Sequence, residues 1–214
     1  MPRRPHLALA LALLTAAYAA ATAPARADDG DSAPTSQPHS PESPRLTPPV
    51  LHALGLMSAM RVAEAYLWPS PFAETNRLSL ELHYRDAYTR PPLWDSSKPL
   101  FEEDGDRWQI NVVGHGLFGS ELYLRARTCR MPIWQALLFT GLASATWEYG
   151  IEASGVRPSA LDLTFTPSAG LVLGETRYVA WRAARRLQPG PLRSTLSALV
   201  DPLGDLERAL GTPC

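Results

Sequence analysis

From Met131 to Trp147 the chain carries no formally charged side chain; then Glu148, Glu152, Arg157 and Asp162 arrive in quick succession. A long apolar segment running straight into ionisable groups is either a packed helix pair with its end charges or the wall of a buried polar site. Both alternatives put helices at the centre of the fold.

The local signals agree with helices. Pro132 fits a first helical turn, where a missing N–H is harmless, so a helix is predicted over Ile133 to about Ala153, stopping at Gly155. Another is predicted from Gly116 to Arg127. Ser159-Ala160-Leu161-Asp162 has the spacing of a capping box, with Asp where Glu is usual: the serine oxygen accepts a backbone N–H and the acid reaches back to the first one. Pro167 interrupts or restarts that helix, which continues from Ser168 to Leu187 until Gln188-Pro-Gly-Pro191 breaks it. Gly170 and Gly174 share one helix face, and Gly141 with Ala145 offers a matching small face for a close crossing. Asp201-Pro202 caps a last short helix with Leu203, Leu206 and Leu210 on one face and Gly211 beyond its end.

Upstream, Val50–Leu67 reads as a helix ended by Trp68-Pro69. It is apolar around most of its circumference, so it is either deeply packed or lies against a membrane; its length favours packing. Leu78–Arg85 alternates apolar and polar residues, and Trp108–Val113 repeats the pattern. The two are expected to pair as one small β-ribbon across the polar, proline-rich loop 86–107, with a helix through Leu78–Arg85 as the alternative. The expected fold class is therefore mainly α: a compact helical bundle with a helical hairpin and room for that ribbon.

Arg3 and Arg4, the apolar run Leu7–Ala21 and Ala25-Arg26-Ala27 have the layout of a secretory signal peptide over 1–27. The run is too short for a span of about 20 residues. Residues 28–49, rich in proline and serine and poor in large apolar side chains, read as a disordered linker in which His39 is solvated. Residues 50–214 then form one domain. Export to the periplasm, or to the periplasmic face of an envelope membrane, is the expectation. There Cys129 and Cys214 are permitted to pair, and the sequence leaves a bridge and two free thiols equally open. A net charge of −1 gives no broad attraction to nucleic acid, so no such partner is expected.

Around the turn after the apolar segment, Glu148 and Glu152 lie on one helix face, Arg157 follows in the loop, and Asp162 sits in the next first turn. His115 stands at the start of an earlier helix, with Arg127 near its far end; Glu175 follows Gly174. The plain structural account pairs Arg157 with Glu152 or Glu148, lets Asp162 cap its helix, and gives His115 a backbone partner. The functional account makes His115, Glu148, Glu152 and Asp162 candidate catalytic residues and Arg127, Arg157 and Glu175 candidate ligand-binding residues. Three carboxylates and an imidazole suit a divalent cation. No H-E-x-x-H, Glu-x-x-His or zinc-type cysteine pair occurs, however, so no metal is assigned and the cofactor is unknown. Gly119-Ser120-Glu121 is not a nucleophile elbow either.

The pattern Asn111…Gly114-His115…Gly119-Ser120…Tyr123…Ala126-Arg127…Ser144…Trp147-Glu148…Glu152…Pro158-Ser159…Asp162-Leu163…Thr166-Pro167…Gly170…Gly174-Glu175 resembles a bacterial domain-of-unknown-function family of exported, envelope-associated proteins. The resemblance covers about residues 92–182. Gly116 stands where that family has proline, and Leu122 where it has a first tyrosine. More distantly, Glu152…Arg157-Pro-Ser-Ala-Leu-Asp162…Gly170…Gly174 is similar to VanZ-like membrane proteins. Both likenesses imply an envelope location; neither supplies a reaction. Three functions follow as expectations. The chain is a membrane-associated envelope protein binding a lipid-like ligand or a membrane partner; or an envelope lipid or glycan hydrolase with Glu148 or Glu152 as base, His115 as acid or ligand and Arg157 holding an anion; or a structural partner of an outer-membrane assembly.

Overall fold

The computed structural model describes residues 44–209 and Cys214. The signal-peptide reading, residues 28–43 of the linker including His39, and Leu210 and Gly211 at the end of the last helix lie outside the described residues. Among the described residues eight main helices make up the architecture, besides a single turn at Pro69–Phe72: α1 Thr47–Leu67, α2 Arg77–Thr89, α3 His115–Thr128, α4 Ile133–Thr146, α5 Ala160–Ala169, α6 Glu175–Arg185, α7 Pro191–Val200 and α8 Gly204–Ala209. Three π-helical turns join or extend them: Gln109–Gly114 leads into α3, Trp147–Ile151 prolongs α4, and Gly170–Gly174 links α5 to α6.

Helix α3 is the axis. Apart from Leu117, every residue from His115 to Ala126 is buried, with α4, α5, α6 and the Gly170–Gly174 turn packed around it and α1 along one flank. Two apolar clusters fill the space. One joins Ala53 and Met57 of α1 to Phe118, Leu122, Ala143 and Trp147; the other joins Tyr123 and Ala126 to Met131 and Ala136. Glycine sets the closest approach. A Cβ on Gly119 would overlap the Thr166 carbonyl, and one on Gly170 would stand 2.8 Å from the Gly119 carbonyl oxygen. The surface that meets Gly170 is thus Gly119 and Thr140. Gly141, expected to provide it, has open space in front of it.

The β-ribbon does not form; no strand occurs among the described residues, where Leu93 and Ser159 make an isolated bridge. Leu78–Arg85 lies inside α2. Asn76 caps that helix by accepting a hydrogen bond from Leu78 N at 2.9 Å. The partly or fully covered positions Ser79, Leu80, His83, Tyr84 and Ala87 recur with helical spacing, while Leu78 and Leu82 of the alternating set are exposed. Trp108–Val113 winds into the π turn.

Helix α1 starts at Thr47, with prolines in its first turn, and so begins before Val50. It is not deeply packed. Pro49, Ala53 and Met57 form one buried stripe, and Leu51, Leu54, Val62 and Leu67 face outward. Pro167 does not interrupt α5; it lies inside the helix, which runs on to Ala169 and into the π turn. Cys129 and Cys214 are joined by a disulfide. No described helix is long and apolar enough to cross a membrane.

Candidate functional site

Four elements deliver the four candidate catalytic residues to one point. His115 opens α3, Glu148 comes from the π turn that prolongs α4, Glu152 from the 3₁₀ turn Glu152–Ser154 that follows it, and Asp162 from the first turn of α5. Such π turns concentrate at functional sites, because the extra residue per turn re-aims side chains. All four are buried, with relative exposures of 5% for His115, 1% for Glu148, 8% for Glu152 and 2% for Asp162. His115, Glu148 and Glu152 each offer a ligand-type atom within 4.8 Å of the others.

Neighbouring groups hold these side chains in place. Ser159 caps α5 by accepting from Asp162 N at 3.1 Å, as the capping box requires. The reciprocal bond goes elsewhere: Ser159 N donates to Glu148 Oε2 at 2.8 Å. Asp162 is thereby released toward His115, whose Nδ1 lies 3.6 Å from Asp162 Oδ1 and 3.0 Å from Thr166 Oγ1. Over the top folds the loop before α3. Ser159 Oγ donates to Asp104 Oδ2 at 2.7 Å, and Asn111 Nδ2 donates to Asp104 Oδ1 at 2.8 Å and to the Phe101 carbonyl at 2.9 Å. Phe101 has a positive φ of 65°, a strained conformation for a bulky residue that this bond helps to hold.

Compensating charge is missing. Among the described residues no arginine or lysine forms an ion pair with Glu148, Glu152 or Asp162. Arg157, the cation expected to neutralise them, does not; its buried Nε has no hydrogen-bond partner. Arg61 turns instead to Glu64, Ser154 and the Phe72 carbonyl. Burial, reinforced by nearby carboxylates, pushes Glu148, Glu152 and Asp162 well above the usual carboxylate range. Burial also lowers His115 to about 4, Asp104 opposing. Burial acts to raise Asp104 too, but hydrogen bonds from Ser159 and Asn111 outweigh it and keep that carboxyl below its ordinary value. Glu148 and Glu152 approach closely enough to share a proton, yet Glu148 Oε1 and Glu152 Oε2 have no donor in the geometry found. The indole Nε1 of Trp147 likewise makes no hydrogen bond, though it lies near enough to Glu152 to favour the ionised form. Either protons or a bound cation must neutralise such a cluster.

The cluster meets a cavity at Glu152. Glu152, with Glu64, Asp106, Trp68, Phe72 and Ile110, lines a cavity of about 240 Å³. A separate, larger groove of about 690 Å³ runs between α1, α3 and the segment around α7, lined by Leu56, Met60, Leu117, Phe118, Leu199 and Leu203. Phe118 stands between groove and cluster, edge-on to His115 and 6.0 Å from the Trp147 ring.

The remaining candidates do not join the site. Arg127 and Glu175 neutralise each other at the far end of α3, with Nε to Oε2 at 2.8 Å; Tyr123 donates to the same carboxylate, and the Tyr178 ring lies under the guanidinium. They are a strut between α3 and α6. Sequence reasoning missed Asp104, Asn111 and Thr166 as members of the cluster. The Asx-type pattern Asp104-Gly105-Asp106 was a visible turn signal, but nothing local said where that turn would land.

The fold and site define an all-helical domain with an uncompensated carboxylate–imidazole centre. Residues 100–203 match the family model DUF3943, a domain of unknown function, and that stretch contains every residue of the centre. Comparison with curated proteins and with solved structures found no match.

Proposed function

We propose that the chain is an exported cell-envelope protein, on the periplasmic side, that binds a lipid-like ligand and so associates with a membrane. The observation that carries this reading is the apolar groove between α1, α3 and α7. Its volume of about 690 Å³ falls within the range of sites that enclose small ligands, and its walls suit a hydrocarbon chain. Only Glu121 and Arg177 bring charge to it. They pair with each other at 2.6 Å, so the groove offers apolar surface without a free ion to recognise. The signal-peptide pattern and the likeness to exported and VanZ-like proteins support the address.

The test is recovery of the mature protein from envelope fractions in mild detergent, followed by native mass spectrometry and lipid extraction. One co-purified acyl lipid per chain, lost in Leu117→Arg while the helical circular dichroism is kept, is the expected result. Bare protein in both preparations, with no uptake of a fluorescent fatty acid, would sink the reading.

A second reading, an envelope lipid or glycan hydrolase, is favoured by the convergence of His115, Glu148, Glu152 and Asp162 beside a cavity that Glu152 lines. It requires turnover of headgroup- or glycan-labelled envelope extract that Glu152→Gln abolishes.

A further inference from the structure

Glu148 Oε1 and Glu152 Oε2 are buried carboxylate oxygens without a hydrogen-bond partner, whereas the buried Glu121 and Asp201 are met by arginine. Leaving such atoms bare is expensive, so their arrangement points to something that binds there. We propose that His115, Glu148 and Glu152 form a binding site for one divalent transition-metal ion of the Zn²⁺ or Mn²⁺ class. The proposal is independent of what the groove holds.

Three observations converge on it. First, the ligand-type atoms of the three residues lie within 4.8 Å of one another, little more than twice a metal–ligand bond of about 2.0–2.2 Å. Second, two of the side chains are already oriented through the atom that would not face the ion. Ser159 N holds Glu148 by Oε2, leaving Oε1. Thr166 holds His115 by Nδ1, with Asp162 Oδ1 on the same side at 3.6 Å, leaving Nε2. Metal-bound histidines and carboxylates are held in this way by outer partners. Third, the centre gathers carboxylates without a paired arginine or lysine among the described residues. An ion of charge two would supply what the chain withholds.

The donor set selects the ion. Two carboxylate oxygens and one imidazole nitrogen are too few and too mixed for Ca²⁺, which takes six to eight oxygens. They offer no sulfur for a soft ion and suit Zn²⁺, Mn²⁺ or Fe²⁺. Three protein ligands leave a coordination position open. The cavity that Glu152 lines gives that position a route to solvent, as catalytic rather than structural metal sites require.

The experiment uses the mature protein stripped with chelator, dialysed, and titrated with ZnCl₂ and with MnCl₂ by calorimetry and native mass spectrometry. One ion per chain is expected. Asp162→Asn should weaken binding by about 10- to 100-fold and Glu148→Gln by more, whereas Glu175→Gln, on the strut, should leave it unchanged. Electron spin-echo spectra of the Mn²⁺ form should show a nitrogen coupling that His115→Gln removes. Should Glu148→Gln fail to fold by circular dichroism, Asp162→Asn and the nitrogen coupling decide. Absence of a stoichiometric ion, or uptake that both Asp162→Asn and His115→Gln leave intact, overturns the proposal. Neither result bears on the lipid groove.

Discussion

At the start of α3, His115 faces Glu148, Glu152 and Asp162; further along the same helix, Glu121 and Arg125 meet His52, Arg177, Asp201 and Glu207. The second set is paired. Arg125 reaches Asp201 at 2.8 Å, Glu207 at 2.7 Å and Glu121 at 3.3 Å. Arg177 takes the other oxygen of Glu121 and also donates to Ser120 and to the Val200 carbonyl. His52 closes on Glu207 at 2.6 Å. That network fastens α1 and the C-terminal segment onto the central helix. The first set is buried as well and has no such partners. One helix therefore carries a group of charges that is complete within the chain and a group that is not, and the incomplete one is where a ligand belongs.

Mutations should separate the two. Arg125→Met strands buried carboxylates and should cost about 3–5 kcal/mol in urea unfolding. Glu148→Gln replaces a buried carboxyl that no cation in the chain compensates, and in metal-free protein it should change stability by less than about 1 kcal/mol or raise it. Equal losses in the two variants would mean that the centre at His115 is an ordinary structural network. Next in size is Gly119→Ala, which drives a methyl group into the Thr166 backbone. Overpacking of this kind costs about 1–3 kcal/mol. A variant as stable as its parent would place α3 and α5 further apart, and Thr166 away from His115 with them.

The smallest effect concerns the strut. Burial acts to raise Glu175, but hydrogen bonds from Arg127 and Tyr123 outweigh it and hold the carboxyl below its ordinary 4.5. A carboxyl depressed in the folded state stabilises above its unfolded pKa, and that stability is lost as pH falls through the folded one. The gap in melting temperature between the parent and Glu175→Gln should thus be constant from pH 7 to about 5 and close below 4.5. A gap that widens in acid would show that Glu175 is not held by Arg127.

Much of the helical order was legible because its signals are local. Pro132, Gly155, the Ser159 cap and the Gln188-Pro-Gly-Pro191 break each fix a boundary through the backbone of a few residues. Where the reading failed, tertiary contacts decided. Leu78–Arg85 alternates, but Ser79, Leu80, His83, Tyr84 and Ala87 meet the protein as one helical stripe, and period two yields to that packing. The glycine crossing was anticipated on one side and misassigned on the other, since Gly119 and Gly141 look alike until a partner helix selects between them. The site was half visible. Spacing along one helix brought Glu148 and Glu152 together, and the cap motif placed Asp162 nearby. The lack of a cation could not be read, because Arg157 stands close in sequence and only the fold turns it away.

The hydrogen bond from Ser159 N to Glu148 makes one amide proton a gauge of the whole centre. It is the amide of the residue that caps α5 and at the same time a clamp on a candidate ligand. Whatever seizes Glu148 must tighten or break that bond. Deuterium uptake at Ser159, followed residue by residue, would then report on occupancy from the backbone, with no label attached and no knowledge of the occupant needed.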